Sequence, residues 1–148
     1  MARQMSQVYK KTITVRFREA DPAGIMFFGN IYGICHDAFE DMINSIGIGW
    51  QSYFGTKDYL IPLIKSEAEY RGSLAPGQNY EIQVFFSLIK TSSFEVTYQI
   101  VNPADSDRKP LITVKTVHVC LHATSKAKTA LPQAWEQIFR QYSLQDIG

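Results

Sequence analysis

The chain has 148 residues, 45% of them apolar and 20% charged, with a formal net charge of +1. That length fits one domain over 1–148 with one sizeable core, since a domain of this size buries roughly 70% of its unfolded surface. The near-neutral charge argues against nucleic acid or an anionic membrane as the main partner, and no run approaches the roughly 18 apolar residues of a membrane span. The first residues, MARQMSQVYKKTITV, hold no apolar stretch of the signal-peptide kind. Cys35 and Cys120 have neither disulfide nor zinc-site spacing, and they read as reduced, half-buried thiols of a cytoplasmic protein.

The first element is a strand over 8–18, VYKKTITVRFR, with Ile13, Val15 and Phe17 on one face and Thr14, Arg16 and Arg18 on the other. A punctuated segment, 19–29, follows. From Ile31 the period changes: Ile31, Ile34, Cys35, Ala38, Phe39, Met42, Ile43 and Ile46 recur at three-and-four spacing. His36, Asp37, Glu40, Asp41 and Asn44 fill the other face. This predicts an amphipathic helix of about four turns, with Asn30 as N-cap candidate and Gly47 as stop. Residues 47–58 read as irregular.

Four strand-like segments come next. YLIPLIKSEAEYRG leads to the proline-glycine turn LAPGQ, and NYEIQVFFSLIK leads to TSS. FEVTYQIVN leads to the polar turn PADSDRKP, and LITVKTVHVCLHA leads to TSKAKTALP. The last element, 133–142, is a short helix with Trp135, Ile138, Phe139 and Tyr142 on one side. Strand, long helix and a run of strands predict an α+β fold, an antiparallel sheet wrapped on the helix. The edges of such a sheet need covering, which predicts a homo-oligomer.

Asp21 lies between the first strand and the helix, in DPAGIMFFGN. Pro22 limits its backbone, and Gly24 permits a turn that other residues adopt only at a cost. A helix start offers free N–H groups and the positive end of a dipole. A carbonyl oxygen held there is polarised as in an oxyanion hole, and a carboxylate facing it can attack the carbonyl or activate a water. The same residues also suit a plain Asp-Pro turn, with Asp21 only capping it.

Other constellations are weaker. His118, Cys120 and His122 alternate along a strand, but strand positions i and i+4 lie about 13 Å apart, too far for ligands about 2 Å from one metal. His36 and Glu40 are one helical turn apart, a spacing that lets them pair or chelate and that equally suits a polar helix face or a subunit contact. Lys90, Lys126 and Lys128 sit in or beside turns and can hold phosphates as point charges. The aromatics Phe27, Phe28, Trp50, Tyr53, Phe54 and Tyr59 flank the acid's segment or follow the helix; most suit a core, and some can line a ring-shaped pocket. Nucleophile elbow, phosphate loop and dinucleotide fingerprint are absent from the sequence.

The stretch VRFREADPAGIMFFGNIYGICHDAFEDMI resembles the first strand, loop and central helix of hotdog-fold acyl-CoA thioesterases of the 4-hydroxybenzoyl-CoA thioesterase group. CHDAFE and VCLHATSKAKTALPQAW look like the 1,4-dihydroxy-2-naphthoyl-CoA thioesterases of quinone biosynthesis. The resemblance implies a five-stranded antiparallel sheet around one long helix, paired into homodimers or homotetramers with the active site at the subunit interface. It implies an acyl-CoA substrate and no metal or other cofactor. Asp21 falls on the catalytic aspartate, nucleophile or general base. The backbone N–H groups at Phe28 and Gly29 fall where the thioester carbonyl is polarised. Gly24 falls on the loop glycine and Asn30 on the asparagine at the helix start. The turn KTSS falls where related enzymes hold the nucleotide phosphates, which assigns Lys90 and then Ser92 to substrate binding.

The chain departs from the pattern in places. Phe28 stands where some relatives carry tyrosine or histidine, His36 where many carry an acid, and the Lys90 turn is less basic than in the hydroxybenzoyl enzymes. An enzyme for 4-hydroxybenzoyl-CoA or an aliphatic acyl-CoA, and a non-catalytic hotdog protein that binds acyl-CoA or an acyl carrier protein, stay open at this point.

Overall fold

The computed structural model describes residues 7–143; residues 1–6, part of the stretch read as lacking a signal peptide, lie outside them. Strand β1 is Tyr9–Thr14, and the central helix α1 is Ile31–Ser45. A short helix α2, Trp50–Tyr53, and strands β2 (Tyr59–Leu60), β3 (Leu63–Tyr70) and β4 (Asn79–Ile89) follow. Then come β5 (Ser93–Val101), β6 (Ile112–Val119), β7 (Leu121–His122) and α3 (Gln133–Gln141). Five strands form one sheet in the order β1-β4-β5-β6-β3, antiparallel at every pairing.

The helix lies against this sheet because its stripe is apolar: Ile31, Cys35, Ala38, Phe39, Met42 and Ile43 are all buried. The sheet meets it with alternate residues, Ile82 and Val84 on β4, Val96 and Tyr98 on β5, and Ile112 and Val114 on β6. At the far end α3 closes the core, with the Phe139 ring stacked on Phe86 at 4.0 Å. Burial of each such ring contributes roughly 1.5–3 kcal/mol. A five-stranded sheet around one long helix is the hotdog arrangement that the resemblance implies.

Four expectations are corrected. The first strand stops at Thr14, and Phe17–Glu19 form a 3-10 turn. Phe17 is therefore 91% exposed instead of facing the core. Alternation continues through it in sequence, but Gly77 N–H has already claimed the Val15 carbonyl, so β4 offers no further pairing. Residues 47–58 contain α2, and Tyr53 on it is buried beside Phe39 and Trp135. The long segments YLIPLIKSEAEYRG and LITVKTVHVCLHA each break in two, giving a separate β2–β7 pair; Pro62, which has no N–H to donate, marks the first break. Cys35 and Cys120 are free thiols, 2% and 0% exposed, fully rather than half buried. Among the described residues no helix is long and apolar enough to cross a membrane.

Candidate active site

The segment after β1 is a clamped loop. Ala20 and Met26 form an antiparallel bridge, and Asp21 N–H donates to the Ile25 carbonyl at 2.9 Å. Inside the bridge, Gly24 N–H donates to the Asp21 carbonyl at 3.0 Å. Ala23 N–H donates to Asp21 Oδ1 at 2.8 Å. Gly24 has φ of +79°, which a side chain would adopt only under strain. Outside it, Met26 N–H reaches the Leu74 carbonyl at 2.8 Å and Phe27 N–H the Glu19 carbonyl at 2.8 Å.

Asp21 thus does cap its own turn, with one oxygen. Its Oδ2 accepts no hydrogen bond among the described residues. A half-buried carboxylate with one oxygen fixed and the other free is oriented without being used up. The turn bond therefore occupies one oxygen of that side chain and leaves the other available.

Phe28–Asn30 form a 3-10 turn that runs directly into α1. Asn30 stands at the expected N-cap position of α1 but does not cap it in the expected way. Its backbone is already helical, with φ −71° and ψ −15°, and its side chain makes no cap bond. Instead Nδ2 donates to the Glu19 carbonyl at 2.8 Å, the same oxygen that receives Phe27 N–H. Asn30 is a latch that ties the helix start to the loop before it. The N–H groups of Phe28 and Gly29 donate to no acceptor among the described residues. A Cβ on Gly29 would sit 3.1 Å from the Phe27 ring, so the absence of a side chain there lets the aromatic lie against the backbone. Gly29 and Asn30 line a groove with Arg18, Glu19, Gly33 and Asp37.

The apolar run does not wall the acid off in this chain. Phe27 is 45% and Phe28 64% exposed, their rings 4.7 Å apart. The reason is that α1 spends its apolar stripe on the sheet, which leaves the residues ahead of its first turn outside the core.

Lys90 and Ser92 are elsewhere. They form the β4–β5 hairpin, where Lys90 N–H donates to the Ser93 carbonyl at 2.8 Å and the Ser92 carbonyl accepts Cys120 N–H at 2.7 Å. Thr14 pairs with Asn79, so the Asp21 loop leaves at the start of β4, whereas Lys90 follows its end. Ten residue steps separate those ends, roughly 33 Å at about 3.3 Å each. The fold of the single chain does not bring Lys90 and Asp21 together.

The weaker constellations dissolve for local reasons. His118 is buried, its ring stacked on Phe39 and Phe94 at 5.4 and 4.9 Å, with Nε2 2.9 Å from Thr116 Oγ1. Burial, and then the neighbouring His36, lower its pKa to about 4. His122 belongs to β7, not to the His118 strand, and is exposed. His36 lies near Phe54, while Glu40 accepts a bond from Trp50 Nε1 at 3.2 Å, so the two do not pair. Lys126 Nζ is engaged by the Ala123 carbonyl of its own turn. Glu67 and Glu69, to which the sequence assigns no role, face Lys65 and Arg71 on the sheet edge. Sequence reasoning missed two contributors to the loop, the Glu19 carbonyl and Tyr70, whose hydroxyl bonds the Phe28 carbonyl. A backbone oxygen has no sequence signature, and the Tyr70 contact spans 42 positions.

Residues 15–139 match the family model of the thioesterase-like superfamily. A 1,4-dihydroxy-2-naphthoyl-CoA hydrolase from Synechococcus elongatus is 28% identical over 134 residues, 88% of this chain and 96% of that protein. One from Nostoc punctiforme is 30% identical over 128 residues, 86% of this chain and 82% of that protein. The crystal structure of a 1,4-dihydroxy-2-naphthoyl-CoA thioesterase from Synechocystis superposes with a TM-score of 0.80 at 22% identity, covering 90% of this chain and 96% of that one. Because the family match takes in the Asp21 loop, α1 and every strand after it, the chain belongs to the thioesterase-like superfamily.

Proposed function

We propose that the protein hydrolyses an aromatic acyl-CoA thioester, 1,4-dihydroxy-2-naphthoyl-CoA, to the free acid and coenzyme A. The observation that carries this reading is the free Oδ2 of Asp21 in the same clamped loop as the unbonded N–H groups of Phe28 and Gly29. The names of the two hydrolases similar to the chain over most of its length support the choice of acyl group.

The thioester carbonyl oxygen accepts from the Gly29 and Phe28 N–H groups as negative charge develops on it. Asp21 then works in one of two ways. As nucleophile, its oxygen attacks the carbonyl carbon, the coenzyme A thiolate leaves, and water hydrolyses the resulting anhydride. As general base, it takes a proton from the water that attacks the carbonyl carbon, and the same thiolate leaves. Gly24 supplies the turn that presents Asp21, and Asn30 holds the helix start against the loop. Phe27 and Phe28 form an apolar surface for the acyl ring. The test is thiol release from dihydroxynaphthoyl, hydroxybenzoyl, benzoyl and aliphatic CoA thioesters. Fast turnover confined to aliphatic thioesters would displace the aromatic substrate, and no turnover of any would favour a non-catalytic acyl-CoA binder.

The active unit is a homodimer or homotetramer in the cytoplasm. Strand β3 is a sheet edge with Leu63 48%, Ile64 61% and Tyr70 41% exposed around the charged Lys65, Glu67 and Glu69, and the exposed apolar residues at its two ends favour contact with another copy. Light scattering at micromolar concentration should give a dimer or tetramer mass; a clean monomer would rule out an interfacial site. A second copy would also bring its own Lys90 and Ser92 to the substrate's nucleotide end. Lys90→Ala should raise KM for the acyl-CoA about fivefold and leave kcat within about twofold, because a phosphate anchor contributes uniform binding. An unchanged KM removes Lys90 from the site.

A further inference from the structure

Tyr70 is the last residue of β3, and its hydroxyl donates to the carbonyl oxygen of Phe28 at 2.6 Å. That oxygen also accepts Ile31 N–H, the bond that joins the 3-10 turn to α1. A carbonyl oxygen has two lone pairs, so this one is fully engaged. The same peptide unit carries the Gly29 N–H, which donates to nothing among the described residues.

A peptide unit is planar, and cis bonds are absent among the described residues. In a trans unit the C=O and N–H point to opposite sides. Fixing the Phe28 oxygen from two directions therefore fixes the direction of the Gly29 N–H, away from Tyr70 and out of the helix start. Without the Tyr70 bond, that oxygen would be held only by the Ile31 N–H, the bond at the junction of a short 3-10 turn and α1, and helix ends fray. The Phe27 ring braces the other side of Gly29. Partial burial raises the Tyr70 pKa above the ordinary phenol value, so its hydroxyl stays protonated and remains a donor at neutral pH.

We propose that Tyr70 is a positioning residue: by holding the Phe28 carbonyl it aims the Gly29 N–H at the thioester oxygen. This rests on the oxyanion role given to Gly29 under the proposed function. Tyr70 touches neither substrate nor acid, and it acts through one peptide plane.

The experiment compares wild type, Tyr70→Phe and Asp21→Asn on the aromatic acyl-CoA that wild type turns over fastest. The Phe variant keeps the ring of a 41% exposed side chain and should fold as wild type does. Its kcat should fall about tenfold, a fraction of the 10²–10³ lost with a whole oxyanion donor, with KM within about twofold. A second readout uses the Asp21→Asn protein with 4-hydroxybenzoyl-CoA labelled with ¹³C at the thioester carbonyl. Binding should move the infrared carbonyl band to lower wavenumber, and adding Tyr70→Phe should move it back toward the free value. An unchanged kcat, a change in KM alone, or a carbonyl band that stays in place would make Tyr70 a structural contact and overturn the proposal while the thioesterase reading stands. If wild type hydrolyses no thioester, or Asp21→Asn matches it, that reading fails and the positioning role falls with it.

Discussion

Replacing Asp21 with asparagine is expected to lower kcat on the aromatic acyl-CoA by about a thousandfold, within the 10²–10⁴ range of a removed general base, with little change in melting temperature. Asparagine keeps a side-chain carbonyl where Oδ1 now accepts Ala23 N–H at 2.8 Å, so the turn survives. The other position becomes an amide nitrogen, which neither attacks a carbonyl nor takes a proton from water. Loss of activity with an intact melt would therefore report on chemistry at Oδ2 rather than on the loop. Asp21→Ala removes the turn bond as well and should lose comparable activity plus some stability. Retention of activity within tenfold in Asp21→Asn would leave Asp21 as a turn residue and move the protein to the acyl-CoA binders.

The second large effect is on stability. His118 lies between the Phe39 and Phe94 rings, and burial lowers its pKa to about 4 from an ordinary value of 6.5. In the unfolded chain it binds a proton near pH 6.5, and in the folded chain only near pH 4. Between those values the unfolded state holds more protons, so stability rises with pH and is lost as pH falls from about 6.5 to about 4. The full difference is about 3 kcal/mol, a large fraction of the net stability of an ordinary domain. Denaturant titrations across that window should show the loss in wild type. In His118→Phe, which keeps an aromatic between the two phenyl rings, the slope should be flatter by up to about 3 kcal/mol over the window. An equal slope in both proteins would assign the acid sensitivity to groups other than His118.

Much of this molecule is readable along the chain. The three-and-four spacing from Ile31 to Ile46 can only make one apolar stripe, and the alternation in the strand segments can only make a sheet with one face for it. The long helix, the main strands and the turn at Gly24 follow from those local rules. The loop motif is a local feature as well, and so the candidate acid is legible in the sequence.

The failures share one cause. Phe17 continues a perfect alternation and yet is exposed, because a strand persists only while a neighbour has hydrogen bonds to offer. Asn30 looks like a cap by sequence, but its amide reaches back eleven residues to Glu19, where backbone geometry leaves a carbonyl in range. Tyr70 carries no signal in its own strand, since its partner is a peptide oxygen 42 positions away. The resemblance assigns Lys90 to the same site as Asp21, but Lys90 sits at the other end of β4, a separation set by strand length and register. Which faces are apolar, where turns fall and which acid stands at the helix start are written into the order of residues, because those depend on neighbours within a few positions. Which oxygen of Asp21 is free, which peptide is held from two sides and which groups lie apart arise only in the folded molecule, because those depend on hydrogen bonds between segments that are distant along the chain.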